Sequence, residues 1–250
     1  MSQLLTDQEE KTFAEIAAEV RAAAEHLVTE DGKPVDNLFS EKQMRLLTEP
    51  LYSSWAGPVS ETGEQRQFLA AANVGLFRSL RQPPIVPDVL LSLDVELSEQ
   101  WEKYQRSYFM WEFGKPPDVV IEIVSNREGH EDESKLSDYA RLGVGYYVIH
   151  DPLQQLSREV LRVFELHGKQ YAPYPGRYLP AVGLGLTLWE GTFERQSSAL
   201  WLRWCDEQGQ LILTGAERAA REAERATQEA ERAARLAAKL RELGVDPEQV

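Results

Sequence analysis

Apolar positions change their period along the chain. From residue 6 to 28 they recur at helical spacing. Phe13, Ile16, Ala17, Val20, Ala24 and Leu27, behind a Thr6/Glu9 capping box, predict an amphipathic helix. "TEDGKPVDN" then interrupts the pattern. A second helix is predicted from Ser40, with Gln43 at the box position and Met44, Leu47, Leu51 and Trp55 on one face. Pro50 should kink or end it, because proline lacks the amide hydrogen that the helix needs.

Beyond residue 66 short apolar runs take over: "QFLAAANVGLF", "IVPDVLLSLDV", "PDVVIEIVS" and "GYYVIHD". They are rich in β-branched residues and short enough to be buried strands. The helix-like "EDESKLSDYARLGV" separates the last two. "EVLRVFELHGKQYAPY" alternates on both sides of a His-Gly-Lys turn and predicts a β-hairpin. "GLGLTLWEG" and "ALWLRWCD" add further apolar surface. Helices first, then a sheet with one crossover helix, predict an α/β or α+β domain with a mixed central sheet flanked by helices.

A third pattern begins at Ala216, a seven-residue repeat: AERAARE, AERATQE, AERAARL, AAKLREL. Its first and fourth positions are Ala except for Leu240, and Glu217–Arg221 and Glu231–Arg235 are i,i+4 pairs. A long C-terminal helix is predicted, ended by Gly244 and Pro247. An alanine seam buries little area, so a coiled coil and a solvated single helix are both compatible with the repeat. The predicted organisation is an N-terminal helix over 1–34, a main domain over 35–212 and a charged helical tail over 213–250.

Composition narrows the class. Hydrophobic residues make up 42% of 250, which argues against disorder over most of the length. No stretch of about 18 apolar residues exists, and the acidic start lacks the apolar core of a signal peptide, so a cytoplasmic protein with no membrane span is expected. Cys205 is the single cysteine. His26, His130, His150 and His167 share no metal-ligand spacing. The net charge is −14, and residues 1–215 carry −13 of it, so the acidity belongs to the body rather than the tail. That field opposes nucleic acid, and a DNA contact would need a local basic groove.

Acids within apolar strands are the candidate chemistry. In "PPDVVIEIVSN" Val120, Glu122 and Val124 share one strand face while Val119, Ile121 and Ile123 take the other. A lone carboxylate there costs several kcal/mol unless something pairs with it. The neighbouring run Val86–Leu93 carries Asp88 behind Pro87. If the two strands are neighbours, two carboxylates converge, and such a pair suits Mg²⁺. Lys135 and Tyr139, i,i+4 on the next helix, share a face, while Leu136, Ala140 and Gly143 can face the sheet. The plainer alternatives are that Glu122 pairs with Arg127 or Lys135, that Asp88 caps a turn, and that Lys135 is a surface lysine. Asp94, Asp118 and Asp151 read as structural acids at strand ends and turns.

The ordered series "VPDVLLSLD", "PPDVVIEIVSN", "KLSDYARLGVGYYVIHDP", "GLGLTLWEG", "WLRWCDEQGQLI" and "AERAARLAAKLRELGVDPEQ" resembles the PD-(D/E)xK nuclease superfamily, in particular its bacterial restriction-endonuclease branch. The resemblance spans residues 36–250. It implies a restriction-endonuclease-like core and Mg²⁺- or Mn²⁺-dependent hydrolysis of DNA phosphodiesters. Asp88 and Glu122 would be the acids, and the carbonyl of Ile123 a further metal ligand. The lysine of the superfamily pattern lies two residues past the second acid, where this chain has Val124; Lys135 on the following helix takes its place. Glu41 and Glu49 are candidates for an extra acid from an early helix, and Tyr139 for a contact to phosphate or water. A homodimer would suit cleavage of both strands. The alternative function is a nuclease fold that has lost catalysis and serves as a binding or assembly module. Clustering of Arg78, Arg81, Lys103, Arg106, Arg127 and Lys135 around the acids would favour the enzyme.

Overall fold

Val119–Ile123, five consecutive buried residues, form β5 at the centre of the computed structural model. It describes residues 37–60, 62–95, 107–125 and 134–243, together with positions 15, 16, 18–20, 22 and 23, which are helical. The remainder of the predicted first helix lies outside the described residues. At about 1.5–3 kcal/mol per fully buried aliphatic side chain, the four apolar residues of β5 outweigh the cost of carrying Glu122 among them.

Around β5 lies a six-stranded sheet. Its strands are β1 (Phe68–Ala72), β3 (Val89–Leu93), β5, β6 (Tyr146–His150), β7 (Leu161–His167) and β8 (Gln170–Pro173), in that spatial order. Only β5 and β6 run parallel, so the sheet is mixed. A parallel pair needs a crossover, and helix α3 (Ser134–Leu142) lies within it. Gly143, at φ +87°, ends that helix rather than facing the sheet, and its amide donates to Tyr139 O at 3.1 Å. Two short strands, β2 (Leu76–Phe77) and β4 (Tyr108–Phe109), pair in parallel, and β4 leads into the one-turn helix α2 (Met110–Phe113).

Alternation along β5 divides the core. Val119, Ile121 and Ile123 pack with Met44, Leu47 and Leu51 of helix α1 (Leu38–Ser54). Val120 and Val124 pack on the opposite face with Tyr139, Tyr147 and Ile149. The predicted apolar stripe of α1 is therefore its buried stripe. The helix starts two residues earlier than expected, because Asn37 rather than Ser40 caps it, its Oδ1 accepting the Ser40 amide at 2.9 Å. Gln43 is not part of a capping box either. It is buried and makes both a donor and an acceptor bond to the Leu202 backbone, at 2.8 and 2.9 Å. Pro50 does not end α1, which continues for one more turn.

The predicted hairpin is β7–β8, closed at His167↔Gln170 with Gly168 at φ +65°. The later apolar runs are more than surface. With β9 (Tyr178–Leu179), the strands β10 (Leu184–Phe193) and β11 (Gln196–Cys205) form a second, three-stranded sheet whose apolar residues join the α1 side of the core. Helix α4 (Gly215–Glu242) follows, capped by a Thr214/Glu217 box. Buried Arg203 of β11 makes two bonds to the Glu217 carboxylate, at 2.7 and 2.6 Å, and stacks over Trp189. That pairing docks the first turn of α4; no residue of the helix is buried.

Candidate active site

Pro87 has no amide hydrogen to give a ladder, so β3 begins at Val89, later than the expected Val86. Asp88 sits immediately before it. Its backbone carbonyl accepts the Asn73 amide at 3.0 Å, and its carboxylate Oδ2 accepts the Ile123 amide at 2.6 Å. β3 and β5 are antiparallel in the register Val89↔Ile121 and Leu90↔Val120. One further step sets Asp88 opposite Glu122 on the same face. The two strands that had to be neighbours for the acids to converge are neighbours.

Glu122 is 2% exposed and both of its oxygens are engaged. Lys135 Nζ donates to Oε2 at 2.9 Å, and the Tyr139 hydroxyl donates to Oε1 at 2.6 Å. The i,i+4 spacing on α3 brings both donors over one carboxylate. Burial pushes the Glu122 carboxyl up to about 7. The Lys135 charge pulls it down, the Asp88 charge pushes it up, and the bonds from Tyr139 and Lys135 favour the ionised form. Burial, and then the Glu122 charge, hold the Tyr139 phenol well above its usual range, so it stays protonated and donates.

Two carboxylates side by side, one of them dehydrated, make a centre of negative charge for which a dication is the natural counter-charge. A carboxylate offers about four acceptor positions, so one hydrogen bond per Glu122 oxygen leaves each oxygen able to accept again. The donor set is hard oxygen, as Mg²⁺ and Mn²⁺ prefer. Among the described residues no cluster of three or more His, Cys, Asp or Glu forms a metal cage. Asp88 and Glu122 match the common Mg²⁺ arrangement, in which one or two carboxylates bind the ion and water or substrate phosphate completes its shell. The residues fit the ion. Ile123, whose carbonyl was expected as a ligand, is the last residue of β5 and directly follows Glu122.

The other predicted residues are placed elsewhere. Glu41 and Glu49 lie on α1, which packs on the opposite face of the sheet from Glu122. Glu41 pairs with Arg45 at 2.6 Å, and Glu49 accepts from Ser53 and from the Gly215 amide. Neither is brought to the two acids. Arg78 and Arg81 are exposed in the loop that delivers Asp88, while Lys103, Arg106 and Arg127 lie outside the described residues. Asp94 binds Arg66 twice, Asp118 holds Lys115 and the Leu93 amide, and Asp151 accepts three backbone amides, so all three are structural as expected. Tyr139 packs in the core and also touches Glu122. Its spacing from Lys135 was the signal for that second role.

A mixed sheet flanked by helices, with a long C-terminal helix, is a restriction-endonuclease-like architecture. The chain belongs to the Uma2 family, described as "putative restriction endonuclease", which matches residues 33–186 and so includes Asp88, Glu122, Lys135 and Tyr139. No curated protein matches the chain. The description of that family points to a nuclease. Among the described residues no helix is long and apolar enough to cross a membrane.

Proposed function

We propose that the protein is a metal-dependent DNA endonuclease acting in the cytoplasm, with Asp88, Glu122 and Lys135 as its catalytic residues. One observation carries the reading: a buried carboxylate, Glu122, lies beside a second carboxylate and beneath a lysine at 2.9 Å. Asp88, Glu122 and the carbonyl of Ile123 would hold Mg²⁺ or Mn²⁺. When bound, such an ion polarises a phosphate oxygen and lowers the pKa of water. The chain's own residues do the rest. The Ile123 amide fixes the orientation of Asp88, and the Tyr139 hydroxyl fixes that of Glu122. The Lys135 ammonium would orient the water that forms the new P–O bond and offset the negative charge that grows on the phosphate as the bond to the leaving oxygen breaks. A homodimer would suit cleavage of both strands.

A second reading has its own support. Glu122 and Lys135 already balance one another, and the net charge of −14 opposes DNA. A binding or assembly module without catalysis would need nothing more from this pair.

Cleavage of supercoiled and single-stranded DNA in Mg²⁺ or Mn²⁺ separates the two. The nuclease reading expects nicking by wild type that stops with EDTA and is lost in Glu122→Ala and Lys135→Ala. Absence of cleavage in either metal on both substrates would leave the module as the better account.

A further inference from the structure

A pocket of about 310 Å³ lies where the parallel strands β5 and β6 end. Val124 and Ser125 come directly after β5, and Pro152 and Leu153 follow β6. The first turn of α1 and the start of β11 complete its wall. Ligands of α/β sheets bind outside the carboxyl ends of parallel strands. Neither Asp88 nor Glu122 lines this space, so it is a second site.

Its lining differs from the rest of the molecule. Charged residues make up 27% of the chain, yet among the described residues none lines this pocket. Phe39, Val124, Leu153 and Leu200 give apolar walls. The Phe39 ring is held by stacking on Trp201, at 4.7 Å between centroids. Ligand pockets typically combine such walls with a few polar groups that fix orientation.

The polar groups are there, and several lack partners. Ser40 is 4% exposed. Its amide donates to Asn37, but its hydroxyl makes no hydrogen bond among the described residues. Unlike the hydroxyls of Ser54 and Ser107, that oxygen is not sealed inside the protein, so the space it meets is the pocket it lines. The side-chain amide of Gln196, also in the wall, has no partner among the described residues, and neither do the first-turn amides of Leu38 and Phe39. Buried polar groups without partners are rare because each is costly.

We infer that this pocket binds a nucleobase, either free as a nucleoside or carried by a nucleic-acid strand. The choice of a base over other neutral rings rests on the nuclease reading; the pocket itself does not. A base is flat and uncharged, with hydrogen-bonding groups only along its edge. The Ser40 hydroxyl and the Gln196 amide would bond that edge, and the first-turn amides of α1 would receive a ring carbonyl. Phe39, Leu153 and Leu200 would cover the ring. A volume of about 310 Å³ is at the lower end of ligand pockets, roughly 300–1,000 Å³, which suits one ring system.

Ligand-observed NMR with the four deoxynucleosides, in EDTA, tests this without any cleavage. At least one nucleoside should bind saturably to wild type, and deoxyribose alone should not. Ser40→Ala should weaken that binding on the order of fivefold, as expected for one lost hydrogen bond. Ser197→Trp, at an exposed position of the wall, should abolish it by filling the space. Glu122→Gln should leave it unchanged. Displacement of the nucleoside by a short single strand, but not by the same strand stripped of its bases, assigns the pocket to a base of a strand; displacement by neither leaves the free nucleoside as its ligand. No nucleoside binding to wild type, or equal binding by Ser40→Ala and Ser197→Trp, would overturn the inference. Nucleoside binding by a protein that never cuts DNA would count against the nuclease reading alone, and cleavage without nucleoside binding against the inference alone.

Discussion

Tyr139 donates its hydroxyl hydrogen to Glu122 Oε1 across 2.6 Å, and neither side chain reaches solvent. The bond holds one oxygen of a dehydrated carboxylate in place, while the other faces Lys135, which is a quarter exposed. One side of Glu122 is therefore fixed by the core and the other is turned to a partly exposed cation. That asymmetry suits an acid that must exchange a lysine for a metal without losing its orientation.

Removing the hydroxyl alone should show what the fixed side contributes. Tyr139→Phe keeps the ring packed against Tyr147, at 5.1 Å between centroids. It deprives a buried carboxylate of its donor, which costs about 1–3 kcal/mol. Urea denaturation should register a loss of that size. In cleavage assays the variant should fall between wild type and Glu122→Ala.

Glu122 should also make stability depend on pH. Its carboxyl is raised from 4.5 to about 7 in the fold, so between those values the folded protein keeps a proton that the unfolded chain has released. Stability from this group therefore falls as pH rises through the window, by roughly 3 kcal/mol in all. Glu122→Gln removes the titration. In EDTA, thermal melts should show the variant more stable than wild type at pH 8, with the gap closing towards pH 4.5.

At the other end of the molecule, Arg203 is buried and depends on Glu217 for its counter-charge. Glu217→Ala strips that partner and also breaks the capping box of α4. Leaving a buried charge uncompensated costs about 3–5 kcal/mol, less here because Glu217 is one-third exposed and the Ile212 carbonyl still accepts from Arg203. A drop of about 2–3 kcal/mol in urea denaturation is expected. Arg203→Met combined with Glu217→Gln should recover part of it, because no charge is then left buried.

How much of this could be read from the sequence follows from how local each signal is. Short β-branched runs bounded by Pro, Gly and Asp identified β3, β5 and β6, because a strand buried on both faces is written in consecutive residues. The meeting of Asp88 and Glu122 was legible as a possibility, conditional on strand neighbours that only the register supplies. The i,i+4 step on α3 indicated that Lys135 and Tyr139 share a face, but not that one carboxylate would lie beneath both. The β10–β11 hairpin was missed as a hairpin because its turn is Glu194–Arg195, both at positive φ, where the usual signal is Asn-Gly. Gln43 and Arg203 were opaque for another reason. A buried polar residue makes sense only beside its partners, here Leu202 and Glu217, which lie 159 and 14 residues away.

Whether Asp88 and Glu122 hold a dication can be measured without choosing the right DNA. Calorimetric titration with Mn²⁺ should give saturable binding to wild type, with loss of that heat in both Asp88→Asn and Glu122→Gln and little change in Glu41→Gln or Glu49→Gln, whose residues lie across the sheet. Binding should weaken below pH 7, where a proton competes for Glu122. Wild type without measurable heat, or a signal that survives the loss of either acid, would contradict a shared metal centre and leave Glu122 as a buried acid paired with Lys135 and Tyr139.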